Sequence, residues 1–342
     1  MQSSSTSLSS LYNIAKYTVI LFIALVNGSW ETSKTNGKSL KFLVMGDWGG
    51  TSIAPYTTPV ELDTANQMAK ISRARKPSFV LALGDNFYYN GVKNINDPRF
   101  QETFEVVYRD VSLLIPWYVI AGNHDWRGNV SAQIAYTKLS NRWKFPYFFY
   151  PLTFKIPETS DTIDILMIDT TLLCGHVIDD FHGYQPDVPK DGTTAEIQWA
   201  WLERQLADSK ARYLFTAGHF PIYSIAEHGP TRCLVNRLLP LLSRYKANGH
   251  FAGHDHSLQH LRTTHHGVTL DFIVSGTANF IDSSTRHMHS VPQDSLKFHW
   301  ADTRSKGGFC FAEATHDKLT LTFIRADGHE LYKTNIAPRR FS

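Results

Sequence analysis

Apolar residues recur along this chain in two rhythms. Short unbroken runs such as VLAL and YVIA close on glycine and a polar residue, as strands buried on both faces do. Between them lie stretches whose apolar positions fall three and four apart, the spacing of an amphipathic helix. On this reading LKFLVMGDWGG (40–50) is a strand ending in a Gly/Asp turn, and ELDTANQMAKISRARKP (61–77) is a helix striped by Leu62, Ala65 and Ala69. SFVLALGDNFY (78–88) is a strand closing on Asp85, FQETFEVVYRD (100–110) a helix, and IPWYVIAGNHD (115–125) a strand closing on Asn123, His124 and Asp125.

The second half repeats the habit. IDILMIDTT (163–171) reads as strand, and TAEIQWAWLERQL (194–206) as a helix with its stripe on Trp199, Leu202 and Leu206. RYLFTAGHFP (212–221) is a strand ending at His219, and CLVNRLLPLLSRY (233–245) a helix interrupted near Pro240. GHFAGHDH (249–256) follows, then the strand-rich runs VTLDFIVSG, GGFCFAEA and KLTLTFIRADG, which look more antiparallel. No repeat or linker divides the chain, so the expected fold is one α/β domain over residues 29–342, a sandwich of two mixed β-sheets flanked by helices.

The first residues read as targeting. Lys16 precedes the apolar run TVILFIALV (18–26), too short to span a bilayer but suited to the core of a signal peptide covering residues 1–28. Without that leader the formal charge falls from +3 to +2, by the loss of Lys16. No basic block or basic-aromatic stripe is present, which argues against a nucleic-acid-binding surface. An exported chain makes NVS at Asn129 a glycosylation acceptor on an exposed loop. Of the three cysteines, Cys174 and Cys233 lie in polar, turn-like stretches and Cys310 in an apolar one. Context therefore favours a Cys174–Cys233 disulfide and a buried free Cys310.

Five of the expected strands finish in residues able to bind metal: Asp47; Asp85 with Tyr88; Asn123 with His124; His219; and His254 with His256. Strand ends of open α/β sheets line the functional crevice. Alone, each of these residues has an ordinary explanation as a turn residue or a satisfied imidazole. Together they supply carboxylate, phenol, amide and imidazole donors in numbers that fit two metal ions sharing a bridge.

The blocks GDWGG, GDNFYYNG, AGNHD, AGHFP and GHDH resemble those of the purple acid phosphatases, in particular the small animal tartrate-resistant type. The longer runs INDPRFQETFE, PWYVIAGNHD, SIAEHGPTRCLV and VSGTANFID agree, and the likeness covers about residues 38–335. The resemblance implies a metallophosphoesterase-like sandwich. It also implies that Asp47, Tyr88 and His256 hold a ferric ion, that Asn123, His219 and His254 hold a divalent one, and that Asp85 bridges. The wider family usually has histidine two places after the first aspartate; Gly49 stands there, and Tyr88 is the extra ligand. Phenolate-to-iron charge transfer would colour such a protein.

The donor chemistry divides in the same way. A hard trivalent ion favours the anionic oxygens of Asp47, Asp85 and Tyr88, while two imidazoles and the Asn123 carbonyl accept Fe2+, Zn2+ or Mn2+. The reaction expected is hydrolysis of phosphate monoesters by metal-held hydroxide, with His228 in SIAEHGP as general acid, Glu227 beside it to hold or tune the ring, and His124 donating to a phosphoryl oxygen. Substrates would be small phosphate monoesters or phosphorylated proteins, with inorganic phosphate as product and inhibitor, and the setting a secreted or lysosomal monomer without a membrane span. Two other readings stay open: a phosphodiesterase or nucleotide hydrolase on the same site, and a non-hydrolytic iron-binding or redox glycoprotein. The resemblance further implies that the 175–194 loop, with Asp179 and Asp180, covers the site. Trp126 departs from it, standing after GNHD where the animal enzymes commonly have histidine, and is expected to shape the rim; Asp255 is expected to fix the GHDH turn. His265, His266, His287 and His289 read as plain surface residues.

Overall fold

The computed structural model describes residues 38–177 and 184–340. The expected leader, and Asp179 and Asp180 of the loop expected to cover the site, lie outside the described residues. Among those described, fourteen strands form two seven-stranded sheets. In the first, β1 (Leu40–Met45), β2 (Phe79–Ala82), β3 (Trp117–Val119) and β4 (Trp143–Lys144) run parallel. Antiparallel β12 (Gly308–Ala314), β13 (Leu319–Arg325) and β14 (Glu330–Ile336) extend it beyond β1. In the second, β6 (Thr162–Met167), β7 (Tyr213–Ala217), β8 (Gly249–Ala252) and β10 (Val268–Ser275) are parallel. That sheet is flanked by antiparallel β5 (Tyr150–Lys155) on one side and by β9 (Leu258–His265) and β11 (Leu296–Trp300) on the other.

Alternation along the strands assembles two cores. On β7, Tyr213 and Phe215 point between the sheets, where they join Phe42, Phe79 and Phe251. Leu214 points outward, to the layer of helices α4 (Gly192–Asp208) and α5 (Arg232–Arg244). Trp199, Leu202 and Leu206 of α4 are buried there as their spacing requires. Helix α5 is not interrupted at Pro240: it runs unbroken through that residue. Its Leu234, Leu238, Leu239 and Leu242 are all buried, and this apolar face offsets the one amide that proline removes.

Two other helical expectations are corrected. Helix α1 (Pro59–Arg75) starts at a capping box in which Thr58 and Glu61 bond each other's backbone, and it buries Ala65, Met68 and Ala69. Leu62 is off that face and 43% exposed. The run FQETFEVVYRD forms only one wide turn, Phe100–Glu105, in which the Val106 amide reaches back to the Gln101 carbonyl. Phe100 stacks on Tyr136 and Phe104 packs edge-on against Trp117 and Trp143, so burying both rings sets the winding. The strand expected at 163–171 stops at Met167. Asp169 then caps the short helix α3 (Thr170–Cys174), having been preceded in the chain by α2 (Val130–Tyr136). Cys174 is bonded to Cys233 and Cys310 is buried and free, as expected. No helix among the described residues is long and apolar enough to cross a membrane.

Candidate metal centre

The parallel strands of both sheets point their C-terminal ends at one crevice. β1, β2 and β3 deliver Asp47, Asp85 with Tyr88, and Asn123; β7 and β8 deliver His219, and His254 with His256. Asp47 (φ 58°), Asp85 (φ 50°) and His254 (φ 69°) adopt left-handed backbone, a conformation whose cost is tolerated where a site demands it. The glycines between strand and donor make room for a carboxylate brought by another strand, in the same sheet or the facing one. A Cβ on Gly122 would stand 2.2 Å from Asp85 Oδ1, and one on Gly253 would stand 2.4 Å from Asp47 Oδ2. Gly49, where the wider family has histidine, lies so close to the backbone of Asn86 and Phe87 that no side chain fits. The next residue after Asp47 anchors the turn: Trp48 is fully buried among Phe87, Phe104, Tyr108, Trp117 and Trp143.

The donor atoms fall into two groups. The Tyr88 hydroxyl lies 3.0 Å from Asp47 Oδ1 and 3.0 Å from His256 Nε2, and the last two are 3.6 Å apart. His219 Nε2 lies 2.9 Å from Asn123 Oδ1 and 3.3 Å from Asp85 Oδ2. Ligands about 2.1 Å from one ion at right-angled to tetrahedral positions stand roughly 3.0–3.4 Å apart, so both groups fit a shared cation. One ligand atom each from Asp47, Asp85 and His219 lie within 4.8 Å of one another, so the two groups adjoin. His219 Nδ1–H donates to the Leu83 carbonyl at 2.9 Å, fixing the tautomer that leaves Nε2 free for a metal. His254 completes the wall, its ring 5.0 Å from that of His219.

The electrostatics are those of a cage that wants positive charge. Burial works to raise the Asp85 carboxyl, but His219 and His124 outweigh it and hold the group well below the usual carboxylate range. Burial works to lower His219, yet Asp85 lifts it to about 10, so its proton stands where a cation belongs. Burial, then the charges of Asp47 and Asp85, push the Tyr88 phenol far up, and only a strongly positive neighbour would ionise it. Burial and the surrounding imidazoles keep His254 neutral, with its lone pair free.

Beside the donors opens a cavity of about 470 Å³ lined by Tyr89, His124, Glu227, His228, Phe280 and Asp282, among others. His228 lies flat on His254, ring centres 4.0 Å apart and planes 22° from parallel. His124 Nδ1–H donates to the Tyr89 carbonyl at 2.7 Å, and its Nε2 faces Asp85 Oδ2 at 4.0 Å. Glu227 turns toward Arg286, 2.5 Å away, and burial notwithstanding, Ser284 and Arg286 hold its carboxyl low. Asn129 is exposed and caps α2, its Oδ1 accepting the Ala132 amide at 2.9 Å, so the sequon opens a helix instead of lying on a loop. Trp126, expected at the rim, is not among the residues lining the cavity; it stacks on Phe148, its indole N–H donating to Asp169 at 2.8 Å.

Several positioning residues escaped the sequence reading. Buried Asp125 accepts from the Gly122 amide, from Asn86 and from Gln133, tying the end of β3 to that of β2. Arg99 donates to the Tyr88 carbonyl at 3.0 Å. His287 is not a plain surface residue: half-buried, it donates to the Ala226 carbonyl at 2.8 Å and packs on Gly229, bracing the loop that carries His228. For Asn86 and Asp125 the recurrence of Asn and Asp beside the candidate ligands, in GDN and GNHD, was the available signal; Arg99 and His287 carry none.

The calcineurin-like phosphoesterase family model matches residues 40–258. The chain is 49% identical to human tartrate-resistant acid phosphatase type 5 over 88% of its length and 92% of that protein's. It is 30% identical to purple acid phosphatase 7 of Arabidopsis thaliana, over 94% and 96% of the two chains. Its fold matches that of GAP50, described as the anchor in the inner membrane complex of Plasmodium, with TM-score 0.73 at 22% identity over 89% and 90% of the chains. With a binuclear metal-binding site formed around Asp47, Asp85 and His219, the chain belongs to the calcineurin-like phosphoesterases and is a phosphatase closely related to the tartrate-resistant, purple acid phosphatases.

Proposed function

We propose that the chain hydrolyses phosphate monoesters under acidic conditions, with Asp47, Tyr88 and His256 holding Fe3+, Asn123, His219 and His254 holding Fe2+, Zn2+ or Mn2+, and Asp85 shared. The observation that carries this reading is the meeting of a phenol, a carboxylate and an imidazole within 3.6 Å of one another. Bound there, the two ions would neutralise phosphoryl charge and acidify a water.

The side chains do the rest. With Nδ1–H committed to the Tyr89 carbonyl, His124 donates from Nε2 only as an imidazolium, the form that acid favours and a phosphoryl oxygen would accept. His228, on the cavity wall against His254, delivers the proton that the departing alkoxide needs. Tyr89 and Phe280, nearly parallel with centres 6.0 Å apart, form an apolar wall that screens this transfer from bulk water.

A secreted or lysosomal setting is supported by the apolar run at 18–26, by the Cys174–Cys233 bond and by the exposed sequon at Asn129. Metal analysis of the purified protein, a visible spectrum, and rates on 4-nitrophenyl phosphate and its diester test the proposal together. Iron with one partner metal, a phenolate band and a preference for the monoester are expected; full activity in iron-free protein would overturn it.

A further inference from the structure

The turn that carries two of the metal-binding histidines also grips the main chain of the acid histidine. Asp255 stands between His254 and His256 and is buried. Its Oδ1 accepts the backbone N–H of His228 at 2.9 Å, while its Oδ2 has no hydrogen-bond partner among the described residues. A buried carboxylate with so few partners costs stability, a cost retained where the group has a task. Glu227, the other acid near His228, is occupied by Arg286.

His228 needs outside support. Its Nδ1 is buried without a partner among the described residues, so no side-chain hydrogen bond from them orients the ring from that edge. Its loop has neither helix nor strand between β7 and α5, and Gly229 follows with φ at +69°. Among the described residues, its main chain is held by Asp255 on the amide and by Gln185, which donates to the carbonyl at 3.1 Å. A proton donor works only if held within about half an ångström of its working position, and a hydrogen bond to a carboxylate is the stronger kind.

We propose that Asp255 is a positioning residue for proton transfer: its carboxylate fixes the His228 backbone so that the ring stays stacked on His254 and aimed at the leaving oxygen. This rests on the reading of His228 as the proton donor. One tripeptide thus holds metal and places the acid.

The test compares Asp255→Ala and Asp255→Asn in the metal-loaded enzyme, on an alkyl phosphate with a poor leaving group and on 4-nitrophenyl phosphate. For Asp255→Ala, kcat on the alkyl ester should fall by about tenfold or more, while the nitrophenyl ester changes by less than about threefold and KM and metal content hold. Asp255→Asn, whose amide oxygen can accept the same N–H, should restore most of the loss. Adding Asp255→Ala to His228→Ala should cost nothing further. Hydrogen exchange across residues 225–229 should quicken in Asp255→Ala whatever His228 does, so a failure of the acid assignment (alkyl esters spared in His228→Ala) is seen separately. Equal losses on both esters, no loss on either, or unchanged exchange would overturn the proposal. If Asp255→Ala does not fold, Asp255→Ser, too short to reach, takes its place.

Discussion

His228 and His254 lie face to face, ring centres 4.0 Å apart, one assigned to the leaving group and the other to a metal. Neighbours so close should nevertheless fail differently. His228→Asn should cut kcat on poor leaving groups by about a hundredfold, spare good ones within about tenfold and keep the metals. His254→Asn should lose the divalent ion and both activities. A series of aryl and alkyl phosphates, with metal content measured alongside, separates the two.

Tyr88→Phe removes one oxygen and leaves the ring among Tyr89, His124 and Phe280. The fold should be unchanged. The visible band should vanish and iron should dissociate more readily, because Asp47 and His256 lose the phenolate between them. Absorption spectra and iron stoichiometry after dialysis report both effects.

Gly122→Ala and Gly253→Ala each add one carbon where a carboxylate now lies, 2.2 Å from Asp85 and 2.4 Å from Asp47. Metal content and activity should drop by far more than the melting temperature does. Retention of both metals by either variant would mean that the carboxylates can move aside.

The pH dependence of stability should carry the mark of His250. Buried, with Nε2–H donated to the Phe220 carbonyl and Nδ1 accepting from Thr216, it is satisfied as a neutral ring. Burial lowers its pKa from 6.5 to about 4, so the unfolded chain takes up this proton first as acid is added. Its contribution is complete above pH 6.5 and is lost as pH falls through about 4, at most about 3 kcal/mol. His250→Gln should be less stable than the parent at neutral pH and flatter below it, the two melting curves converging near pH 4.

Much of this convergence of donors was readable because candidate ligands sit at strand ends, and a glycine followed by Asp, Asn or His betrays such an end. Asp47, Asp85, Asn123, His219 and His254 all announce themselves in that way. Residues that act through a backbone contact carry no such mark. Asp255 looks like any turn aspartate until His228, 27 positions away, is seen on its carboxylate. His287 holds Ala226 across 61 positions, and local spacing cannot report a loop folded back from so far. The wide turn at Phe100 and the unbroken helix at Pro240 were missed for a related reason: tertiary burial of rings and leucines overrode local preference.

The two layers of the sandwich are joined at this crevice. Asp47, from the first sheet, accepts the His254 amide of the second at 2.8 Å, and His219 reaches back to the Leu83 carbonyl at 2.9 Å. Metal bound among them therefore acts as a rivet through both layers, and chelation should loosen the whole molecule. Ions present at a hundred times their dissociation constant would add about 2.7 kcal/mol each. Drawing them out ought to lower the melting point by several degrees and open the edges of β1 and β8 to solvent exchange before either sheet comes apart.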